Sequence, residues 1–595
     1  MKARILNLHT EADDWNEVER NKLAMGLSGS LCEALREERP DIAWEAEQIA
    51  KSHGVYLQFN RAKTGKERDW IYMVRLGFPG GGPIAPSQYA LLDELAEEWA
   101  VSPEGQPSLR LTTRQAVQFH WLGKQGLLEI VRRCASAGML SLNGCGDNVR
   151  NIIACPLHGQ GQPFDGGAWA GKLANHFRLP LEPFCQVWAI DPQQAPEPQG
   201  PRFSYGPALL NRKFKIAFSA AFLDEWGQPG YENCTEMRTN DLGFAPILDG
   251  QGRLAAFQVY VGGGQGEKVG KPTAAMLSQE FACISPEQLL PLASAIVATH
   301  QEWGDRQNRH FARLKYVIAE KGVAWFRSQV RERLDFALLA PINHNPGARD
   351  LHHGWQNLAK EGWSYGLFVE NGRLSGNLKS LLAFLVDKYQ TPLRITANQD
   401  LLLGGIATED RSAFERDLAD RGYGRRNGIP FSALRRQSGA CVGLPTCRLS
   451  YTDSEQFETE LLNELERRGW GSNATSIGIS GCERQCFRPS TKAIGLIGTG
   501  SNRYQFRFFG LEDASAQGRP LRIEDRQYLH SVPRQRVADV IEVLFHAYRS
   551  SGREEEETFG AFVQGLGETG LLAVLRAAPQ LADLLERSYP VTVLT

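Results

Sequence analysis

The feature that most limits what this chain can fold into is a long-range internal repeat. Leu109-Arg-Leu-Thr-Thr-Arg-Gln115 aligns without gaps on Leu393-Arg-Ile-Thr-Ala-Asn-Gln399. Each copy follows a glycine-containing turn and an amphipathic helix, Pro86 to Ala100 in one and Leu378 to Tyr389 in the other. The separation far exceeds any solenoid period. It predicts two similar α+β halves about a pseudo-twofold axis, with a cofactor available to both. At 595 residues the chain exceeds a single core.

Four cysteines fall in two pairs, Cys441 with Cys447 and Cys482 with Cys486, separated by a helical period from Phe457 to Trp470. Four thiolates from two loops suit a tetrahedral zinc ion or an iron-sulfur cluster. Paired zinc ligands usually enclose two to four residues, whereas Cys441 and Cys447 enclose five. Buried structural thiols are the third reading. The other seven cysteines, Cys32, Cys134, Cys145, Cys155, Cys185, Cys234 and Cys283, read as structural.

The two cysteine segments resemble the C-terminal motif of the sulfite and nitrite reductase haemoproteins, and the likeness runs from about Lys51 to Phe562. It implies a 4Fe-4S cluster on Cys441, Cys447, Cys482 and Cys486, and sirohaem whose iron shares the Cys486 thiolate. The implied fold is α+β, with duplicated ferredoxin-like halves and two sirohaem-binding α/β lobes. The expected boundaries are a helical arm (1–55), the first half (56–124), the first lobe (125–340), the second half (341–430), the second lobe (431–570) and a tail (571–595).

Sirohaem carries eight carboxylates and its substrate is an anion, so local cations must serve a chain whose net charge is only -2. By resemblance Arg75, Arg150, Lys213 and Lys215 form the substrate cage. Lysines two apart in a strand point the same way. Arg110, Thr112, Thr113, Arg114, Gln118 and His120 are expected to hold the macrocycle from a continuous strand running from Ser108 to Trp121. Asn151, Arg309, Lys315 and Asn398 are assigned to the same cofactor, with Gly263 and Gly264 from the loop after the strand Ala256 to Val261. That loop fails as a phosphate loop because Gln265 and Pro272 stand where glycine and serine or threonine are required. The family's nitrite reductases generally carry asparagine at the second lysine, so Lys215 points to sulfite. Six-electron reduction of sulfite to sulfide is the expected activity. The alternatives are ferredoxin-dependent reduction of nitrite, a precorrin oxygenase and a non-catalytic electron-transfer subunit. Glu483-Arg-Gln485 and Phe487-Arg-Pro489 depart from the small or polar residues usual in the family.

No flavin or pyridine-nucleotide motif is present, so electrons are expected from a partner, ferredoxin or an NADPH-dependent flavoprotein. The charge balance offers no basic field for nucleic acid, no long apolar run suggests a membrane, and the first residues turn acidic too early for a secretory signal. A cytoplasmic location is expected. Val187 to Ile190 and Phe214 to Phe218 read as strands, and Trp303 to Leu334 as helical. His352 and His353, considered as metal ligands, read as surface or packing residues.

Overall fold

The computed structural model describes residues 11–63, 68–157, 159, 162–191, 200–224, 226–268, 271, 273–358, 362–426 and 428–591. The expected arm and tail fall partly on residues 1–10 and 592–595, which lie outside the described residues, as does Pro272. The chain divides into two compact units, one of residues 1–60, 65–263 and 278–423, the other of 61–64, 264–277 and 424–595.

The first unit contains both copies of the repeat. Its five-stranded sheet runs Val55–Phe59, Trp70–Gly77, Ala116–Leu122, Ser108–Leu111 and Arg373–Ser375, antiparallel throughout. A four-stranded antiparallel sheet runs Gly354–Asn357, Trp363–Leu367, Leu401–Ile406 and Leu393–Ile395. Arg373–Ser375 thus precedes the second copy but pairs with the first, while Ile84 of the first copy exchanges both backbone hydrogen bonds with Leu393, at 2.8 and 2.9 Å. The duplicated helices Pro86–Trp99 and Gly376–Tyr389 are tied by buried Lys379, whose Nζ lies 2.7 Å from Asp93.

The symmetry extends to single side chains. Gln115 and Gln399 occupy equivalent positions, both left-handed at φ 50° and 73°. Gln115 Nε2 donates to the carbonyl of Ile395 at 2.9 Å, and Gln399 Nε2 donates to that of Leu111 at 3.1 Å. Leu111 and Ile395 are themselves equivalent. Gly81 and Gly372 lie beneath these bonds, where a Cβ would come 2.3 and 2.5 Å from the same two carbonyls. Only glycine fits such an approach, and both take positive φ.

A third sheet runs Gln279–Ile284, Leu254–Val261, Leu242–Leu248 and Ile216–Phe218, the last pair parallel. Residues 149–153 lie along its edge through parallel bridges Val149 to Phe214 and Ile153 to Ala217. The N-terminal helix Glu17–Met25 is capped by Asn16, whose side chain accepts from the amides of Val18 and Glu19. Its buried Lys22 reaches Glu19 and Asp147 at 2.8 and 3.0 Å.

Three expectations are corrected. Ser108 to Trp121 is not one strand but a hairpin that turns at Thr112–Gln115. Val187 to Ile190 is the end of a helix, Leu181–Trp188, closed by left-handed Ala189; its apolar run is buried by the helical spacing of Phe184, Cys185 and Trp188. Trp303 to Leu334 breaks into Leu314–Lys321 and Val323–Arg331, because Gly322 at φ 83° ends one helix and starts the next.

In the second unit, parallel strands Gly439–Ala440, Ile477–Ser480 and Ile494–Gly500 are extended by antiparallel Arg503–Arg507 and Val532–Pro533. Helices Ser454–Arg467, Val537–Ser550 and Phe559–Arg576 accompany them, and the core includes Phe457, Tyr504, Trp470 and Phe545. The expected tail completes this core with Leu571, Leu575 and Leu581, and Tyr589–Pro590 pairs with Arg526–Gln527.

Candidate functional site

Strand register builds a row of cations in the first unit. Arg373 pairs with Arg110, Arg110 with Gln118, and Gln118 with Arg75, so four neighbouring strands place these residues side by side. With its carboxamide turned to accept, Gln118 receives Nε and Nη2 of Arg75 at 3.2 and 2.6 Å. His120 stands two residues along from Gln118 on the same face. It is 2% exposed, and neither ring nitrogen has a hydrogen-bond partner. Burial, then Arg373, Arg110 and Arg75, hold it well below the usual imidazole range. Like charges side by side on a sheet repel, so three guanidiniums around a neutral, unsatisfied imidazole fit an anionic ligand with many oxygens, as the eight carboxylates of sirohaem require.

A second group of cations adjoins the segment 149–153. Phe214 is fully buried, and Lys213 and Lys215 flank it, so alternation sends both lysines to the opposite side. The amide of Arg150 donates to the Phe214 carbonyl at 2.9 Å. Lys213 makes no hydrogen bond or ion pair among the described residues, and its pKa is pushed well below the ordinary lysine value by burial, then by Lys215, Arg212, Arg313 and Arg150. The strongest charges acting on it are positive. Arg75 and Arg150 both act on half-buried Tyr56, whose ring centre lies 5.9 Å from the Arg75 guanidinium, and Arg75 also donates to Cys145 Sγ at 2.9 Å.

Other expected contacts are engaged in holding the chain itself. Arg114 bonds Asn240 Oδ1 at 2.6 Å and the Ile216 carbonyl at 3.1 Å. Asn151 Nδ2 bridges the carbonyls of Phe78, Arg114 and Gln115. Thr112 Oγ1 accepts from the Arg114 amide, and Asn398 Nδ2 donates to Asp400. Arg309 pairs with Glu19 and Asp147 at 2.6 and 2.7 Å, beside Lys22. Gly263 lies against backbone, since a Cβ there would come 2.3 Å from the Arg238 carbonyl. Lys315 is buried over the Tyr316 ring at 4.8 Å. Thr113 is half-buried in the hairpin turn and Gly264 exchanges backbone bonds with Met276. Arg373 was not singled out from the sequence; strand pairing with Arg110 is what brings it into the row.

In the second unit, topology gathers the cysteines. Cys441 follows Gly439–Ala440 and Cys482 lies just beyond Ile477–Ser480, so two adjacent parallel strands deliver them at the same sheet end, as binding residues often are in parallel sheets. The amide of Cys441 donates to the Ile479 carbonyl at 3.0 Å, and the Gly481 amide points at Cys441 Sγ at 3.3 Å. A Cβ on Gly481 would come 1.9 Å from Ser450 Oγ, so glycine lets the two cysteine loops close on each other. Burial, then Cys441 and Cys486, push Cys447 up to about 12, and Cys482 is raised by burial, then by Cys486 and Cys441. Each thiol therefore senses the others, and anionic thiolates here require a cationic centre.

The departure at 483–489 is accommodated by residues 264–277. Glu267 receives Gln485 Nε2 at 3.0 Å and Arg507 Nη2 at 2.5 Å, and its amide donates to the Glu483 carbonyl at 2.8 Å. Ser490 Oγ donates to Gln485 Oε1 at 2.6 Å, holding that residue at φ 52°. Phe487 fills the space above Gly439.

Comparisons with known proteins agree with the repeat. Residues 145–338 match the family model of the nitrite and sulphite reductase 4Fe-4S domain, and residues 64–137 and 357–421 match that of the nitrite/sulfite reductase ferredoxin-like half domain. These last two stretches contain the two copies of the repeat. A sulfite reductase [ferredoxin] of Synechococcus elongatus is 32% identical over 569 residues, covering 90% of this chain and 86% of that one. A sulfite reductase [NADPH] hemoprotein beta-component of Acidithiobacillus ferrooxidans is 31% identical over 567 residues, covering 92% and 96%. The Mycobacterium tuberculosis NirA structure superposes with a TM-score of 0.75 at 23% identity, covering 94% of this chain and 97% of that one, and so shares the fold.

Proposed function

The chain belongs to the nitrite and sulfite reductase family, and from that premise we propose how its own residues serve the reduction of sulfite by a sirohaem- and 4Fe-4S-dependent oxidoreductase. The row Arg373, Arg110, Gln118 and Arg75, with His120 beside it, carries the reading, because it gathers three guanidiniums about a buried imidazole whose two nitrogens have no hydrogen-bond partner. Arg110, Arg373 and His120 would receive the macrocycle's carboxylates, and Cys441, Cys447, Cys482 and Cys486 would hold the cluster. When bound, these groups would supply the electrons for the reduction.

Arg75 and Arg150 bind and orient the oxygens of sulfite; permanently charged, they do not give up protons. Lys213 differs. Its depressed pKa makes Nζ a ready proton donor once an arriving anion offsets its cationic neighbours and favours the ammonium form. Substrate binding thus loads the proton that the reduction consumes. Lys215 adds a second ammonium, suited to an oxyanion of higher charge. The electrons come from a separate donor protein, ferredoxin or an NADPH-dependent flavoprotein. Among the described residues no cysteine is in a disulfide, which supports a reducing, cytoplasmic setting. Among the described residues no helix is long and apolar enough to cross a membrane.

The test is anaerobic turnover of cofactor-loaded protein with a chemical electron donor, measuring kcat/KM for sulfite and nitrite and quantifying sulfide and ammonia. Preference for sulfite with stoichiometric sulfide supports the reading; preference for nitrite overturns it. Replacing the chemical donor by each protein donor then distinguishes the partners. Cys486→Ser should abolish the coupled haem-cluster spectrum, and an unchanged spectrum would remove the bridging assignment.

A further inference from the structure

The first unit holds a second gathering of ligand-type side chains that the reduction does not use. Cys155, Glu232, Cys234 and His352 each present one donor atom, and all four atoms lie within 4.8 Å of one another. Cys155 Sγ is 2.5 Å from Glu232 Oε1 and 3.4 Å from His352 Nε2, and these last two are 3.1 Å apart. The Cys155 and Cys234 thiols hydrogen-bond to each other. All four residues are buried, His352 completely. Of the two readings of His352, surface or packing, burial excludes the surface one. Neighbouring His353 is a packing residue, bonded to Asp400 at 3.1 Å and edge-on to Phe368.

Three separate segments converge here. Cys155 follows Ile153, which bridges Ala217; Glu232 ends the strand Pro229–Glu232 and bridges Ala348; His352 follows that segment. The Asn233 amide donates to the Ala348 carbonyl at 2.7 Å, fixing the third segment beside the second. His352 sits at φ 58°, and its carbonyl would lie 1.5 Å from a Cβ on Gly366. The backbone thus holds the imidazole in place at some conformational cost. Leu157, Ala220 and Leu402 pack with the two cysteines and make the surroundings apolar.

We propose that Cys155, Glu232, Cys234 and His352 form a closed zinc site, distinct from the four cysteines of the cluster. Two sulfurs, an imidazole nitrogen and a carboxylate oxygen match the donors of this borderline-soft ion, and four protein ligands leave no position for substrate, as in structural sites. Zinc bonds of about 2.3 Å to sulfur and about 2.0 to 2.2 Å to nitrogen or oxygen place tetrahedral donors about 3.3 to 3.8 Å apart. Two of the three contacts above lie near that spacing, and the Cys155–Glu232 contact opens on coordination. The ion would neutralise charge that an apolar surrounding cannot. It would also clip the chain carrying Arg150 to the Pro229–Glu232 strand and to the entry of the second half.

Elemental analysis of the purified holoenzyme after dialysis against a chelator should find one zinc per chain beside the iron. X-ray absorption at the zinc edge should show two sulfurs at about 2.3 Å and two lighter atoms at about 2.0 Å. Cys234→Ser and His352→Ala should lose the zinc while the iron is retained. Should these variants fail to fold, the two measurements on the unaltered protein still decide. Zinc far below one per chain, a sulfur-free shell, or a Cys155–Cys234 disulfide found by peptide mapping would overturn the site. The zinc edge does not report on iron, so this result is separable from the outcome of the sulfite assay.

Discussion

The imidazole of His53 has no place for a second proton. Its Nδ1 accepts from Trp188 Nε1 at 3.0 Å, so Nε2 is the protonated nitrogen that faces the Leu27 carbonyl at 2.8 Å. Burial lowers the pKa to about 4, and His300 is likewise lowered to about 4 by burial. The unfolded chain takes up these protons near pH 6.5 and the folded chain does not. Stability is therefore complete above about pH 6.5 and declines as pH falls toward about 4, by on the order of 3 kcal/mol per histidine. In urea titrations across that range His53→Gln should show a shallower acid decline, because glutamine can accept from Trp188 and donate to Leu27; an unchanged slope would refute the argument. Lys215→Asn removes an ammonium from the substrate cage and should move kcat/KM from sulfite toward nitrite, with no shift refuting the role given to Lys215.

The elements most sensitive to single changes are the two turns at the pseudo-twofold axis. Gln115 makes three buried hydrogen bonds, to the Ile395 and Ala154 carbonyls and from the Ala154 amide. Gln115→Met keeps much of the volume and leaves these groups unpaired, so a loss of about 2 to 4 kcal/mol is expected in chemical denaturation. Gln399→Met should cost less, since its two bonds are longer, 3.1 and 3.2 Å. Equal losses would show that the two copies do not bear on each other as described. This repeat was legible in the sequence because both copies kept the same residue types. The hairpin at Thr112–Gln115 was not, because it contains no glycine, proline or asparagine and Gln115 is held left-handed by distant carbonyls. The cysteine pairs were visible in their spacing, and the lysine pair in its alternation. Arg373 and the cluster at His352 were hidden because strand pairing across the repeat and convergence of three remote segments create them. The strand expected at Val187 to Ile190 failed for a different reason, since four apolar residues cannot distinguish a strand from the end of a buried helix.

At the scale of the molecule, the second unit is not a continuous stretch of chain. Its loop at 483–490 is held by Glu267, from residues 264–277. A fragment of residues 424–595 should therefore reconstitute far less iron than the whole chain, and adding back residues 264–277 as a peptide should recover part of it. Full iron loading of the fragment alone would refute this dependence. The tail acts within the same unit through Tyr589 and Pro590, so truncation before residue 571 should also expose the core leucines it covers.

Glu267 also sets an order of events during synthesis. The ribosome delivers it well before Cys482 and Cys486 emerge, so the partner for Gln485 and Arg507 already exists when the second cysteine pair appears. A circularly permuted chain that moved residues 264–277 behind 424–595 would keep every contact while reversing this order, leaving the cysteines for a time without their support and open to oxidation.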